Sequence, residues 1–226
     1  MDLQAVRARV QHILKDPVGV WDTIRNESPD PKDLIVNYVL PLAVISSISQ
    51  FIRMAVIGIS IPFIGTVRVG VMSALVDSII YIGAAIAGLF ALSFVFAAIA
   101  PKFQGTSNQM RALQLLAYGS TGMFVGGVAM LVPIVGWLLS FGFSIYGLYT
   151  LYQGITPMLE VPREKRPIFF GASLLAMVVL GLLFQLILPS RQPAGMRIDT
   201  PQGSFDTNDL NEATRNAEKF LKSLPK

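Results

Sequence analysis

Arg53 and Asp77 lie inside otherwise apolar stretches, where a charge persists only with a partner, a route to the interface or a task. Arg53 falls near the end of one apolar run and Asp77 near the start of the next. At 1.5 Å per helical residue both sit at roughly 10 Å depth from the same side, so an interhelical ion pair can form. Three roles are open: the pair pins the first helical hairpin, each charge snorkels to the interface, or the two belong to a proton or ion path. Tyr118 and Tyr149, with Ser46, Ser47, Ser49, Gln50, Ser120, Thr121, Tyr146, Tyr152 and Gln153, could extend a polar path, or could hydrogen-bond neighbouring helices. Small residues at four-residue spacing read as close helix packing: Ala84 and Gly88, Gly122 and Gly126, and the series Gly136, Ser140, Ser144.

Other chemistry is excluded by residue type. The 226 residues include no cysteine and a single histidine, His12, which removes thiolate nucleophiles, disulfides and multi-histidine metal sites. There is no GxSxG, no GxxxxGK[ST] and no HExxH, and Gly65 to Gly70 lacks the spacing of a dinucleotide fingerprint. No nucleophile is paired with a base, so neither an enzyme nor a cofactor is expected.

The elements that hold these residues follow from the distribution of charge. Charged residues make up 14% of the chain and hydrophobic ones 53%, against about 25% charged in a soluble domain. Mean hydropathy is +0.57. Charge-free runs cover 34–52, 78–101, 112–159 and 167–190, each reaching the roughly 20 helical residues of one bilayer crossing. The third run is 48 residues long, and Pro133 with Gly136 supplies the turn between two crossings within it. The expectation is an all-α membrane protein with a five-helix bundle: Leu34–Ile59 kinked at Pro41, a span between Gly70 and Ala100, Leu113–Leu131, Ile134–Tyr152 and Ile168–Leu188.

Three regions result: residues 1–33, the five-span domain 34–188, and a tail 189–226. The N-terminal region carries Leu3, Val6, Val10, Ile13 and Leu14 at helical spacing, then Asp16-Pro17, then Val18, Val20, Trp21 and Ile24. Two placements are open for this apolar face, the membrane interface with Trp21 at headgroup depth or the protein's own surface. No cleavable signal peptide is read at the start. The tail reads as a hairpin, Met196 to Asp206, followed by a helix from Asp209 to Leu224. A capping box at Asp209 and Glu212 and an apolar stripe in that helix call for the membrane, the protein's own loops or a protein partner.

Five crossings put the termini on opposite sides. Lys15, Arg25, Lys32, Lys102, Arg111, Arg163, Lys165 and Arg166 fall on the N-terminal side, against Arg68, Arg191 and Arg197 opposite. The N-terminus is therefore expected to be cytoplasmic and the tail outside. The same bias accounts for a sequence pI near 9.5 without nucleic acid as a partner.

Four stretches carry a family likeness: Asp16-Pro-Val-Gly-Val-Trp-Asp-Thr-Ile24, Tyr38-Val-Leu-Pro-Leu-Ala43, Leu115-Leu-Ala-Tyr-Gly-Ser-Thr121 and Tyr146-Gly-Leu-Tyr-Thr-Leu-Tyr-Gln-Gly-Ile155. Together they resemble the Yip family of Ypt/Rab-interacting membrane proteins, in its bacterial form, from about residue 14 to 188. The resemblance implies a five-helix membrane domain with a cytoplasmic N-terminus. Eukaryotic relatives are associated with Rab GTPases and vesicle traffic, but their long N-terminal region is reduced here to about 33 residues, so that role is not carried over. The expected function is a non-enzymatic scaffold or membrane-organising, trafficking-like factor of a bacterial inner membrane, in contact with the lipid bilayer and a protein partner at the tail helix. A homo-oligomer is allowed by the small-residue faces. The alternative is a small transporter or lipid-handling protein using Arg53, Asp77, Tyr118 and Tyr149 as its path.

Overall fold

Where the chain carries no charge it forms helix, because a backbone in hydrocarbon must satisfy its own donors and acceptors. The computed structural model describes residues 3–61, 65–187, 196–200 and 203–206. Two short helices, α1 (Leu3–Lys15) and α2 (Val20–Arg25), precede the bundle. The Asp16-Pro17 break between them is stabilised by Asp16 Oδ1, which accepts from the Gly19 N–H at 2.7 Å. The long helices are α3 (Pro31–Ile57), α4 (Val71–Phe103), α5 (Gln109–Ala129), α6 (Gly136–Leu159) and α7 (Arg166–Ile187). Their starts are chemically marked. Asp30 caps α3 by accepting from the Lys32 N–H, with Pro31 in the first turn, and Asn108 caps α5 by accepting from the Arg111 N–H.

The excess length of α3 is absorbed by wider turns. Its backbone is π-helical over Ile35–Val39, directly before Pro41, and again over Ile52–Ile57. Leu40 N–H bonds Ile35 O, and Gly58 N–H bonds Arg53 O at 2.8 Å, each reaching back five residues. The kink expected at Pro41 is thus distributed over the turn ahead of it, where the proline leaves the backbone one donor short.

The segment expected as a loop after the first span is a β-hairpin, β1 (Ile59–Ile61) and β2 (Gly65–Arg68). It pairs with the tail hairpin, β3 (Arg197–Thr200) and β4 (Gly203–Asp206), in one antiparallel sheet of order β1-β2-β3-β4. The inner register sets Thr66 opposite Asp199 and Arg68 opposite Arg197. Arg68 forms an ion pair with Asp199 and donates from Nε to Val56 O at 3.0 Å, tying the sheet to the end of α3. Gly58 makes the turn into β1 at φ +82°, where a Cβ would also lie 2.5 Å from Thr66. The tail helix expected over Asp209–Leu224 lies outside the described residues.

By length and apolar character the described residues hold four candidate spans against the five expected, and the sheet bears on the fifth. Since β2 and β3 are neighbours at one end of the bundle, an even number of crossings must separate them. Helices α3, α4, α5 and α7 are long and apolar enough to span a membrane. Helix α6 is less apolar because of Tyr146, Tyr149, Tyr152 and Gln153, yet its 24 residues reach about 36 Å against a hydrocarbon core of about 30 Å. With α6 the number between β2 and β3 is four; without it, β2 and β3 would lie on opposite faces.

Packing is concentrated at the end away from the sheet. The large fully buried side chains there include Trp21, Phe96, Leu113, Leu115, Leu116, Leu151, Ile155, Met158 and Phe169. Helix α5 is the central element, with 67% of its apolar stretch buried, whereas in α7 the share is 11%. The sheet end presents Val71, Met72, Ile79, Val132, Ile134, Trp137 and Leu186 outward, a surface suited to acyl chains.

The small-residue series divide in two. Added Cβ atoms would fall 2.6 Å from Phe143 O at Gly122, 3.0 Å from Ser140 O at Gly126 and 2.8 Å from Ala129 O at Gly136, so these positions set the close approach of α5 and α6. Ser140 and Ser144 lie on that helix, with Ser144 Oγ bonded back to Ser140 O at 2.8 Å. Gly88, beside Ala84 on α4, faces open space. Replacing Gly122 by Val should therefore lower the thermal midpoint of the detergent-solubilised protein by the equivalent of about 2 kcal/mol. Gly88→Ala should leave it unchanged or slightly raised. Equal effects at the two sites would contradict this packing.

Candidate functional site

The four stretches with the family likeness converge at the close-packed end, where α1 and α2 form a cap over the bundle. Trp21 is 1% exposed. Its ring fills a notch on α6 that exists because residue 154 has no side chain: a Cβ there would lie 2.5 Å from the indole. The indole Nε1–H donates to Thr150 O at 3.1 Å, so the polar handle of a buried tryptophan is satisfied one turn away. Four residues below, the Tyr146 hydroxyl bonds the last turn of α1 at Ile13 O (3.2 Å) and Leu14 O (3.0 Å). Of the two placements open for the N-terminal apolar face, the structure takes the protein's own surface. Trp21 is covered by α6 and not by headgroups, because the Gly154 notch fits its ring.

The second and third stretches meet in the same way. Tyr38 and Tyr118 rings are 4.7 Å apart. The Thr121 hydroxyl donates to Tyr118 O at 2.6 Å, so the Tyr38 hydroxyl is the donor in its own 2.6 Å bond to Thr121 Oγ1. Deeper in the bundle Ser46 Oγ donates to Phe124 O at 2.8 Å and Ser47 Oγ to Ser78 O at 3.0 Å. Of the polar residues in the spans that could have lined a path, Ser46, Ser47 and Thr121 are joined helix to helix, whereas Ser49 and Ser120 bond back to their own helix at Ile45 O and Ala117 O.

Charged residues of the cap fasten its outer edge. Arg9 pairs with Glu27 and stands over the Tyr118 ring at 5.3 Å. Arg111 Nη1 donates to Arg25 O at 2.6 Å and to Glu27 O at 3.3 Å, and Gln114 Nε2 also reaches Glu27 O. Arg9, Glu27 and Gln114 do not stand out in the sequence, and Arg111 enters there only through the charge bias. The spacing of Arg111 and Gln114 on one face of α5 is a weak signal, while the Arg9–Glu27 pair depends on the turn between α1 and α2 and has none.

The candidates Arg53 and Asp77 are not paired. Arg53 Nη1 donates to Gly58 O at 2.8 Å, closing the turn at the end of α3, where the last carbonyls of a helix attract a cation. Asp77 is exposed and lines a cavity of about 220 Å³ with Gln50, Phe51, Met54, Val69, Ala74 and Ser78. Tyr118 lines a different recess, beside Arg9, Asp33 and Asn37. Tyr149 is 44% exposed and near Tyr146. These four do not form one constellation. Among the described residues no group of three or more His, Asp or Glu is placed to hold a metal.

A capped bundle of apolar helices, closed at its other end by a small sheet, defines a multi-pass α-helical membrane protein. Residues 12–185 match the Yip1 domain family model, and the chain belongs to that family. No curated protein and no solved structure shows significant similarity to it.

Two outcomes follow from this geometry. Trp21→Ala, which empties the notch, should cost about 3–5 kcal/mol and release the cap, read as a lower thermal midpoint and faster tryptic cleavage after Arg25 or Lys32. At the sheet end, Asp77→Asn should change stability by less than about 0.5 kcal/mol. Arg53→Met should cost about 1–2 kcal/mol, and the double variant should be no more stable than Arg53→Met alone. Recovery in the double variant would restore the ion pair.

Proposed function

We propose that this protein is a non-enzymatic scaffold or membrane-organising factor, trafficking-like in character, in a bacterial inner membrane, with the cap end cytoplasmic and the sheet end outside. The observation that carries the reading is the use of polar groups. The hydroxyls of Tyr38, Ser46, Ser47, Thr121 and Tyr146 are bonded across helices or to the cap, as befits a rigid platform. The orientation rests on the excess of lysine and arginine at the cap end, where Arg25, Lys102, Arg111, Arg163, Lys165 and Arg166 flank the helices. On this reading the segment after residue 206, whose sequence carries the Leu210, Ala213, Ala217, Phe220, Leu221 and Leu224 stripe, is the contact for a protein partner.

Purification in native nanodiscs, followed by mass spectrometry of the intact assemblies, tests this. The full chain should retain a stoichiometric protein partner, and deleting 207–226 should remove it while leaving the membrane domain folded. A small solute retained by both forms, together with its uptake into proteoliposomes, would move the assignment to a transporter.

A further inference from the structure

At the cap end a cavity of about 480 Å³ opens between α2, α6 and the start of α7. Its charged and polar lining is Asp22, Arg25, Gln153, Thr156, Arg163 and Arg166. Three guanidiniums and one carboxylate leave a net positive site. None of the three arginines forms an ion pair among the described residues. Arg25 and Arg163 are exposed at the rim, as the positive bias of a cytoplasmic face would place them, but Arg166 is held differently. Its guanidinium stacks on the Tyr152 ring, 4.2 Å from Cζ to centroid, and Nη1 donates to Gln153 Oε1 at 3.2 Å. That fixes the group, and leaves Nε buried with no acceptor. On the facing helix the Thr156 hydroxyl is also buried without a partner. Both residues line the cavity, and a buried N–H and a buried hydroxyl left unmet in its walls are costly unless a ligand completes them.

We propose that this cavity binds a phosphate group, as the headgroup of an anionic phospholipid or as a free phosphate. A tetrahedral oxyanion accepts from the Nε edge of Arg166 and from Thr156 Oγ1 together, with Arg25 and Arg163 closing over it from the rim. Arg166 opens the 22-residue helix α7, so the positive end of that helix adds to the attraction. The volume exceeds that of phosphate alone and accommodates a substituted headgroup, for which Asp22 offers an acceptor to a hydroxyl or ammonium group. The site lies where the α7 charge-free run begins, which on the proposed orientation is the level of the phosphates of the cytoplasmic leaflet.

The test uses the full chain in two arms. In nanodiscs of phosphatidylcholine with 20% phosphatidylglycerol, native mass spectrometry counts the phospholipids that survive stepwise activation. In a neutral detergent, inorganic phosphate is titrated against chloride at constant ionic strength, reading the thermal midpoint. Each arm compares the wild type with Arg166→Gln, Thr156→Val and the rim variant Arg25→Gln/Arg163→Gln, which leaves the buried lining intact if Arg166→Gln fails to fold. One phosphatidylglycerol retained by the wild type and held about 10-fold more weakly in the variants assigns a lipid headgroup. A saturable stabilisation by phosphate, weakened by the same changes, assigns a free phosphate. Lipid retention equal in wild type and variants, with no phosphate response, overturns the site.

Discussion

The arrangement of the cap end depends on one interlock, the Trp21 indole seated in the notch left by Gly154 with its N–H on Thr150 O. Because the ring is flat and large, it binds α2 to α6 along one contact and buries more apolar area than any other residue of the N-terminal segment could. Once α2 is fixed, the turn at Asp16 places α1 over Tyr146 and Tyr118, and Glu27 comes within reach of Arg9, Arg111 and Gln114. The N-terminal segment is therefore an integral layer of the membrane domain's core at the cap end, which is where the four family stretches place their aromatic and small residues.

The two ends of the bundle solve different problems. At the cap end, apolar side chains interdigitate around α5, and the loop before α5 is joined to the last residue of α6 by Thr106 N–H on Leu159 O at 2.8 Å. At the sheet end, large apolar residues face outward and the backbone is finished by strand pairing and by Arg68 on Asp199. A membrane supplies the missing partner for those outward side chains, since van der Waals contact with acyl chains replaces core packing there. The sheet is small, but it joins the first interhelical connection to the tail, so residues more than a hundred positions apart are held at one level.

Much of this was legible from charge alone. The helices came from charge-free runs, the break inside the 48-residue run from Pro133 and Gly136, and the tail hairpin from Pro201-Gln202-Gly203. The close α5–α6 approach was visible in Gly122, Gly126 and Gly136, whereas the same spacing at Ala84 and Gly88 does not mark a contact, because small-residue periodicity says that two helices can approach and not that they do. The Arg53–Asp77 pair failed for a local reason. Arg53 lies one turn from the end of α3 and donates to Gly58 O at 2.8 Å, within its own helix end. The β1–β2 hairpin was hidden because its strands are three and four residues long and β2 takes its second partner from the distant tail.

The central claim is that Trp21 is buried in protein and not in the interface. It can be measured directly, because the chain has only two tryptophans, Trp21 and Trp137, and Trp137 is 65% exposed at the sheet end. In a Trp137→Phe variant reconstituted into vesicles of lipids brominated at successive acyl positions, the account predicts blue-shifted Trp21 emission that no bromine position quenches and that aqueous iodide does not reach. Quenching of Trp21 by lipids brominated near the headgroup would place its ring in the bilayer and contradict the account.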